Sequence, residues 1–112
     1  MNGGRLTTHV LDTANGRPAA RVGIELARLD GDRREVLRTL ATNEDGRTDE
    51  PLLHGGELAA AEYELTFDVG GYFQREGFLG RVPVRFTVAD PDAHYHVPLL
   101  VSPWSYSTYR GS

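Results

Sequence analysis

Hydrophobic and polar residues alternate along most of this chain. In "RVGIELARL", Val22, Ile24 and Leu26 fall on one face and Glu25 on the other. In "YELTFDV", Tyr63, Leu65, Phe67 and Val69 oppose Glu64, Thr66 and Asp68. In "VPVRFTV", Val82, Val84, Phe86 and Val88 oppose Pro83, Arg85 and Thr87. A period of two is that of half-buried β-strands. Turn dipeptides punctuate the strands: Asn15-Gly16, Asp30-Gly31, Asp45-Gly46 and Gly55-Gly56. Six or more short strands with such breaks predict an all-β sandwich. Only "GGYFQREGF", Gly70 to Phe78, departs from this rhythm and predicts a helical turn or two.

Two further strands carry histidine. In "LTTHVL", Leu6, Thr8 and Val10 share one face, and Thr7, His9 and Leu11 the other. In "HYHVPLLV", Tyr95, Val97, Leu99 and Val101 form the stronger apolar set and are assigned to the core. His94, His96, Pro98 and Leu100 then face outward. If the two strands are neighbours in one sheet, His9 and His96 approach each other on its outer face. That face also carries Leu11, Pro98 and Leu100, which predicts that another subunit covers it. Taken one at a time, a surface histidine is ordinarily only solvated, and His54 and His94 are assigned that way.

With 112 residues, the chain is expected to form one domain, residues 1–112. The net charge is −4, which argues against a nucleic-acid partner. All twelve basic residues are arginine. There is no cysteine, so disulfides, thiolate catalysis and cysteine-ligated zinc are excluded, and a reducing compartment is expected. No apolar run reaches the ~20 residues a membrane span needs. The opening "MNGGRLTTHV" lacks the apolar stretch of a signal peptide, so a cytoplasmic location and no membrane partner are expected.

Several chemistries fit the polar residues. The rings of His94 and His96, at positions i and i+2, share a face and with His9 could hold zinc. Arg47 leaves the Asp45-Gly46 turn at a defined angle, either as a solvated residue of a plain hairpin or as a fork aimed at a planar, carbonyl-rich or anionic group. Asn43 and Asp45 suggest a calcium loop only faintly, because the bidentate glutamate six residues after the glycine is missing. There is no G-x-S-x-G, P-loop or G-x-G-x-x-G motif. The carboxylates are read as solvated surface. The last seven residues, "YSTYRGS", pose a further choice between a frayed tail and the end of a site.

Three segments, "HVLDTANGRPA", "TNEDGRTDEPLL" and "HYHVPLLVSPWSYSTYRGS", in this order, resemble the 5-hydroxyisourate hydrolases, the transthyretin-related enzymes of purine catabolism. The closing "YRGS" is the most specific mark, since it separates the enzymes from transthyretin, a hormone carrier. The resemblance implies a transthyretin-like sandwich of two four-stranded sheets with one short helix. It implies a homotetramer, a dimer of dimers with active sites in the cleft between dimers. It implies hydrolysis of 5-hydroxyisourate to 2-oxo-4-hydroxy-4-carboxy-5-ureidoimidazoline, with no cofactor and no metal.

Carried over by position, the family's functional residues are His9, Arg47, His96, and the tetrapeptide Tyr109, Arg110, Gly111 and Ser112. The expected catalytic set is His9, His96, Arg47 and Ser112; the expected substrate contacts are His9, Arg47, Tyr109 and Arg110. In this scheme His9 and His96 activate water and Arg47 holds the substrate carbonyls. Ser112 offers its hydroxyl and the chain's terminal carboxylate, while Arg110 contacts substrate or anchors the tail. Trp104-Ser105 and Gly80 depart from the family's usual residues, away from these positions. A non-catalytic small-molecule carrier, a zinc hydrolase using His9, His94 and His96, and an immunoglobulin-like interaction module remain the rival expectations.

Overall fold

The structure, a computed structural model, describes residues 3–112. Its strands are β1 (Arg5–Asp12), β2 (Arg17–Pro18), β3 (Gly23–Asp30), β4 (Arg33–Ala41), β5 (Leu53–His54), β6 (Ala61–Asp68), β7 (Arg81–Val88), β8 (His94–Val101) and β9 (Tyr106–Thr108). One sheet runs β2-β1-β8-β9, with the two-residue β5 added beside β1; the other runs β4-β3-β6-β7. The helix α1 is a single turn, Val69–Tyr72, begun where the Asp68 carboxylate accepts a hydrogen bond from the Gly71 amide.

The alternation seen in the sequence fills the space between the sheets. Leu6 and Val10 of β1 meet Tyr95, Val97, Leu99 and Val101 of β8 in one apolar cluster with Ile24, Leu26, Leu65, Phe67, Val82 and Val84. Each such side chain contributes roughly 1.5–3 kcal/mol by leaving water.

β1 and β8 lie side by side and parallel, with Thr7 opposite His96 and His9 opposite Pro98. This pairing joins opposite ends of the chain and sets everything about the site. Because both strands turn their apolar residues inward, Thr7, His9, His94 and His96 must share the outer face. Leu11 and Leu100 are opposite each other there and stay half-buried.

One expectation fails on the other sheet. Glu64 is buried rather than solvated. Arg85, directly opposite on β7, donates to it at 2.8 Å, and Arg34 donates from β4 at 3.0 Å. The two guanidiniums hold its carboxyl below the usual carboxylate range against the opposing effect of burial. Two arginines reaching over a strand flanked on both sides are invisible to a one-strand pattern.

Candidate active site

The loop after β4 is built to deliver Arg47 to β1. Asn43 closes it: its side-chain oxygen accepts from the amides of Asp45 at 2.9 Å and Arg47 at 3.2 Å. Its own amide donates to the Arg47 carbonyl at 2.7 Å. Gly46 has φ +75°, and a β-carbon there would meet the Val10 carbonyl oxygen at 2.3 Å. Only glycine lets the turn lie this close to the strand. The Gly46 carbonyl then accepts from the Val10 amide at 2.7 Å, fixing the turn beside His9.

The same turn sets the protonation of His9. Its Nε2 lies 2.9 Å from the Asp45 carbonyl oxygen. A carbonyl only accepts, so Nε2 carries the hydrogen and neutral His9 keeps its lone pair on Nδ1. Burial first, and then the Arg47 charge, move His9 below its ordinary value of 6.5; the Asp45 hydrogen bond and charge oppose them.

His96 stands on the neighbouring strand. Its Nδ1 is 2.8 Å from the Thr7 hydroxyl, and the same hydroxyl is 2.7 Å from His94 Nε2. Burial, then the charges of Arg47, His94 and His9, lower its pKa from the ordinary 6.5. His94 is lowered as well, by burial and by Arg5 and Arg110. All three rings are therefore neutral at pH 7, the state in which an imidazole accepts a proton.

The tail is folded. β9 pairs with β8, and Gly111 extends the contact as an isolated bridge, its amide donating to the His96 carbonyl at 2.7 Å. A β-carbon on Gly111 would fall 2.5 Å from Cδ2 of His96. Gly111→Ala is thus expected to push the His96 ring from its place. We expect kcat to fall at least ~10-fold, since a small misplacement of a catalytic group can cost about 100-fold. The fold should persist; an ultraviolet turnover assay alongside a melting curve checks both.

His94, His96, Arg47 and Ser112 line one open cleft of about 390 Å³, together with Arg5 and Thr7. His9 joins this group through its charge coupling to both Arg47 and His96. Tyr109 and Arg110 lie elsewhere, along a second cleft of about 280 Å³ that includes Val84, Phe86, Tyr95 and Val97. The Arg110 guanidinium stacks 4.2 Å over the Tyr95 ring and donates to the His94 carbonyl at 3.4 Å. Within one protomer it grips the tail, and the chain does not bring it or Tyr109 beside Arg47.

The three histidines are not arranged as metal ligands. The facing nitrogens of His94 and His96 both bond Thr7, and Nε2 of His9 bonds a carbonyl. Among the described residues no three His, Asp or Glu side chains converge as metal ligands. Thr7 was passed over in the sequence, although it shares the outer face with His9; its signal was its place across from His96, which needs the strand register.

Comparison with known proteins supplies the lineage. The HIUase/Transthyretin family model matches residues 6–111. A Rhizobium meliloti (strain 1021) protein named 5-hydroxyisourate hydrolase 2 is 58% identical, with 97% of each chain covered. Among solved structures, (S)-allantoin synthase matches with a TM-score of 0.92 at 48% identity, over 98% of this chain and 44% of its own. This protein therefore spans less than half of that larger chain. The 5-hydroxyisourate hydrolase of Klebsiella pneumoniae matches with a TM-score of 0.84 at 37% identity, covering 97% of this chain and 99% of its own. Family model and full-length relatives span the strands, the Arg47 turn and the tail alike, and the chain belongs to the HIUase/transthyretin family.

Proposed function

We propose that this protein hydrolyses 5-hydroxyisourate to 2-oxo-4-hydroxy-4-carboxy-5-ureidoimidazoline in urate breakdown, with histidine-activated water and no cofactor. The observation that carries it is the placing of His9 and His96 on the outer face of adjoining parallel strands, both coupled in charge to Arg47 on the turn beside them. Relatives of 46–58% identity named for this activity support the choice of substrate.

The reaction opens an acyl-type C–N bond. It needs a water stripped of a proton, a stabilised oxyanion and a protonated leaving nitrogen. His9 and His96 take the water proton and return it to the leaving nitrogen. Arg47, through its guanidinium fork, holds the ring carbonyls and faces the developing negative charge. Ser112, which lines the same cleft, supplies a hydroxyl. For Arg110 we assign the anchoring role, through Tyr95 and the His94 carbonyl. Tyr109 we assign to the seam with a neighbouring protomer.

We further propose a homotetramer whose dimer contact covers the half-buried Leu11 and Leu100 beside the histidines, giving a solution mass four times 12.4 kDa. The cysteine-free sequence fits a cytoplasmic setting. Adding the purified protein to freshly generated 5-hydroxyisourate tests the activity. The ultraviolet signal should decay far faster than in buffer, and an unchanged decay would refute the assignment.

A further inference from the structure

The single hydroxyl of Thr7 lies between two imidazole nitrogens, 2.7 Å from His94 Nε2 and 2.8 Å from His96 Nδ1. A hydroxyl has one hydrogen. It donates to one ring and accepts from the other, so exactly one of those two nitrogens carries a proton when both rings are neutral. The tautomers of His94 and His96 are therefore locked together. In one state His96 holds its hydrogen on Nδ1 and leaves Nε2 bare. In the other, Thr7 donates to His96 Nδ1, and the hydrogen of His96 sits on Nε2.

We propose that Thr7 and His94 form a tautomer clamp behind His96: His96 donates from Nδ1 to Thr7, Thr7 donates to His94 Nε2, and Nε2 of His96 is thereby kept bare as the nitrogen that accepts the water proton. Thr7 and His94 are positioning residues in this scheme, acting only through His96. The role rests on the hydrolytic activity proposed above and deepens it, by naming which histidine is the base and at which atom.

The charge of Arg47 favours this state. Arg47 lines the same cleft as His96 and acts on it through its charge, and a cation in the cleft favours a bare nitrogen over an N–H turned toward it. Burial first, and then the charges of Arg5 and Arg110, lower the pKa of His94 and favour its neutral form, whose Nε2 can accept. A protonated His94 would donate from Nε2, force Thr7 to donate to His96, and turn Nε2 of His96 into an N–H. The same loop brings Asp49 and Glu50 to the cleft, but Asp49 is engaged by the Asn43 side chain at 3.0 Å. His9, which also acts on His96 through its charge, is pinned to the Asp45 carbonyl.

The backbone fixes the parts of the clamp relative to one another. Thr7 is β-branched and sits in the parallel β1–β8 ladder directly opposite His96. The Cδ2 edge of the His96 ring is backed by Gly111. Turning the ring over would put Cδ2 where Nδ1 stands and break the bond to Thr7.

Nitrogen-15 spectra of the imidazoles in the ligand-free protein at pH 7.5 test the clamp directly. His96 should show a protonated Nδ1 and a bare Nε2, and His94 a bare Nε2. Thr7→Val keeps the β-branch and removes the hydroxyl. It should mix the two His96 tautomers and lower kcat about 10–100-fold, the range seen when the partner orienting a metal-bound imidazole is lost. Thr7→Ser should restore both the spectrum and the rate. A wild-type spectrum with the hydrogen on Nε2 of His96, or a Thr7→Val protein with unchanged tautomer and rate, overturns the clamp. The spectra are read without substrate. A protein that leaves 5-hydroxyisourate untouched would therefore refute the activity, while the spectrum still decides the clamp.

Discussion

Replacing His96 with asparagine is expected to lower kcat by about 10²–10⁴-fold, the contribution of a well-placed general acid–base group. The melting temperature should stay near that of the wild type. His96 lies outside the apolar cluster that holds the sheets together, on the outer face of β8. Asparagine can still bond Thr7 through its amide, and the Gly111 bridge uses only the backbone of residue 96. What asparagine lacks is a nitrogen that takes a proton near neutral pH. Loss of rate without loss of fold is the signature of a chemical role; the turnover assay and a thermal melt, run on the same preparation, read both. A variant within twofold of wild type would remove His96 from the chemistry.

The second large effect is expected at Arg47. Arg47→Gln removes the one guanidinium that the Asn43–Arg47 turn directs to the cleft, and kcat should fall about 10²–10³-fold, as when an oxyanion-hole donor is removed. The change also alters the pH profile, in a direction that can be stated in advance. Arg47 lowers the pKa of both His9 and His96, second only to burial. In the wild type the base form therefore persists below pH 6.5, the ordinary value for the ring. The acid limb of kcat/KM should lie under that pH. Without Arg47 both pKa values rise, so the acid limb moves to higher pH. The amide of glutamine can still hydrogen-bond, but it carries no charge to repel a proton. A limb that stays in place would show that Arg47 acts on the substrate alone.

How far the sequence alone leads is clearest at β1 and β8. Period-two alternation placed Leu6, Val10, Tyr95, Val97, Leu99 and Val101 in the core, and the structure puts them there. The same parity sent His9 and His96 outward together. Parity is a local property, fixed by the pleat, and it survives without knowledge of the partner strands. β4 was less readable. Its pairing with β3 slips between Leu26 and Ala27, so its residues switch faces midway and "RREVLRTLA" shows no clean alternation.

What depends on register or on tertiary reach could not be read in advance. Thr7 was assigned the right face, but its place between two imidazoles follows from its lying opposite His96 in a parallel ladder. His94 was taken as solvated, yet it shares that hydroxyl. The burial of Glu64 comes with arginines from the two edge strands of its sheet, one on β4 and one on β7. Arg110 was carried over with the closing tetrapeptide, as a substrate contact or an anchor of the tail; within one protomer its guanidinium lies over Tyr95. β9 ends at Thr108; Tyr109 and Arg110 follow it, and the bridge at Gly111 returns the chain to His96. Ser112 therefore reaches the histidine cleft while Tyr109 and Arg110 do not.

The central claim is that His9 and His96, held on adjoining strands and biased by one arginine, work as a single proton-transfer unit. A double-mutant cycle tests it most directly: turnover of 5-hydroxyisourate by His9→Ala, His96→Asn and the double variant, each against wild type. Residues that act as a unit lose their effect together, so the double variant should be scarcely slower than the slower single one. If the two losses multiply, or if either single variant keeps the wild-type rate, the paired histidines are not the catalytic unit.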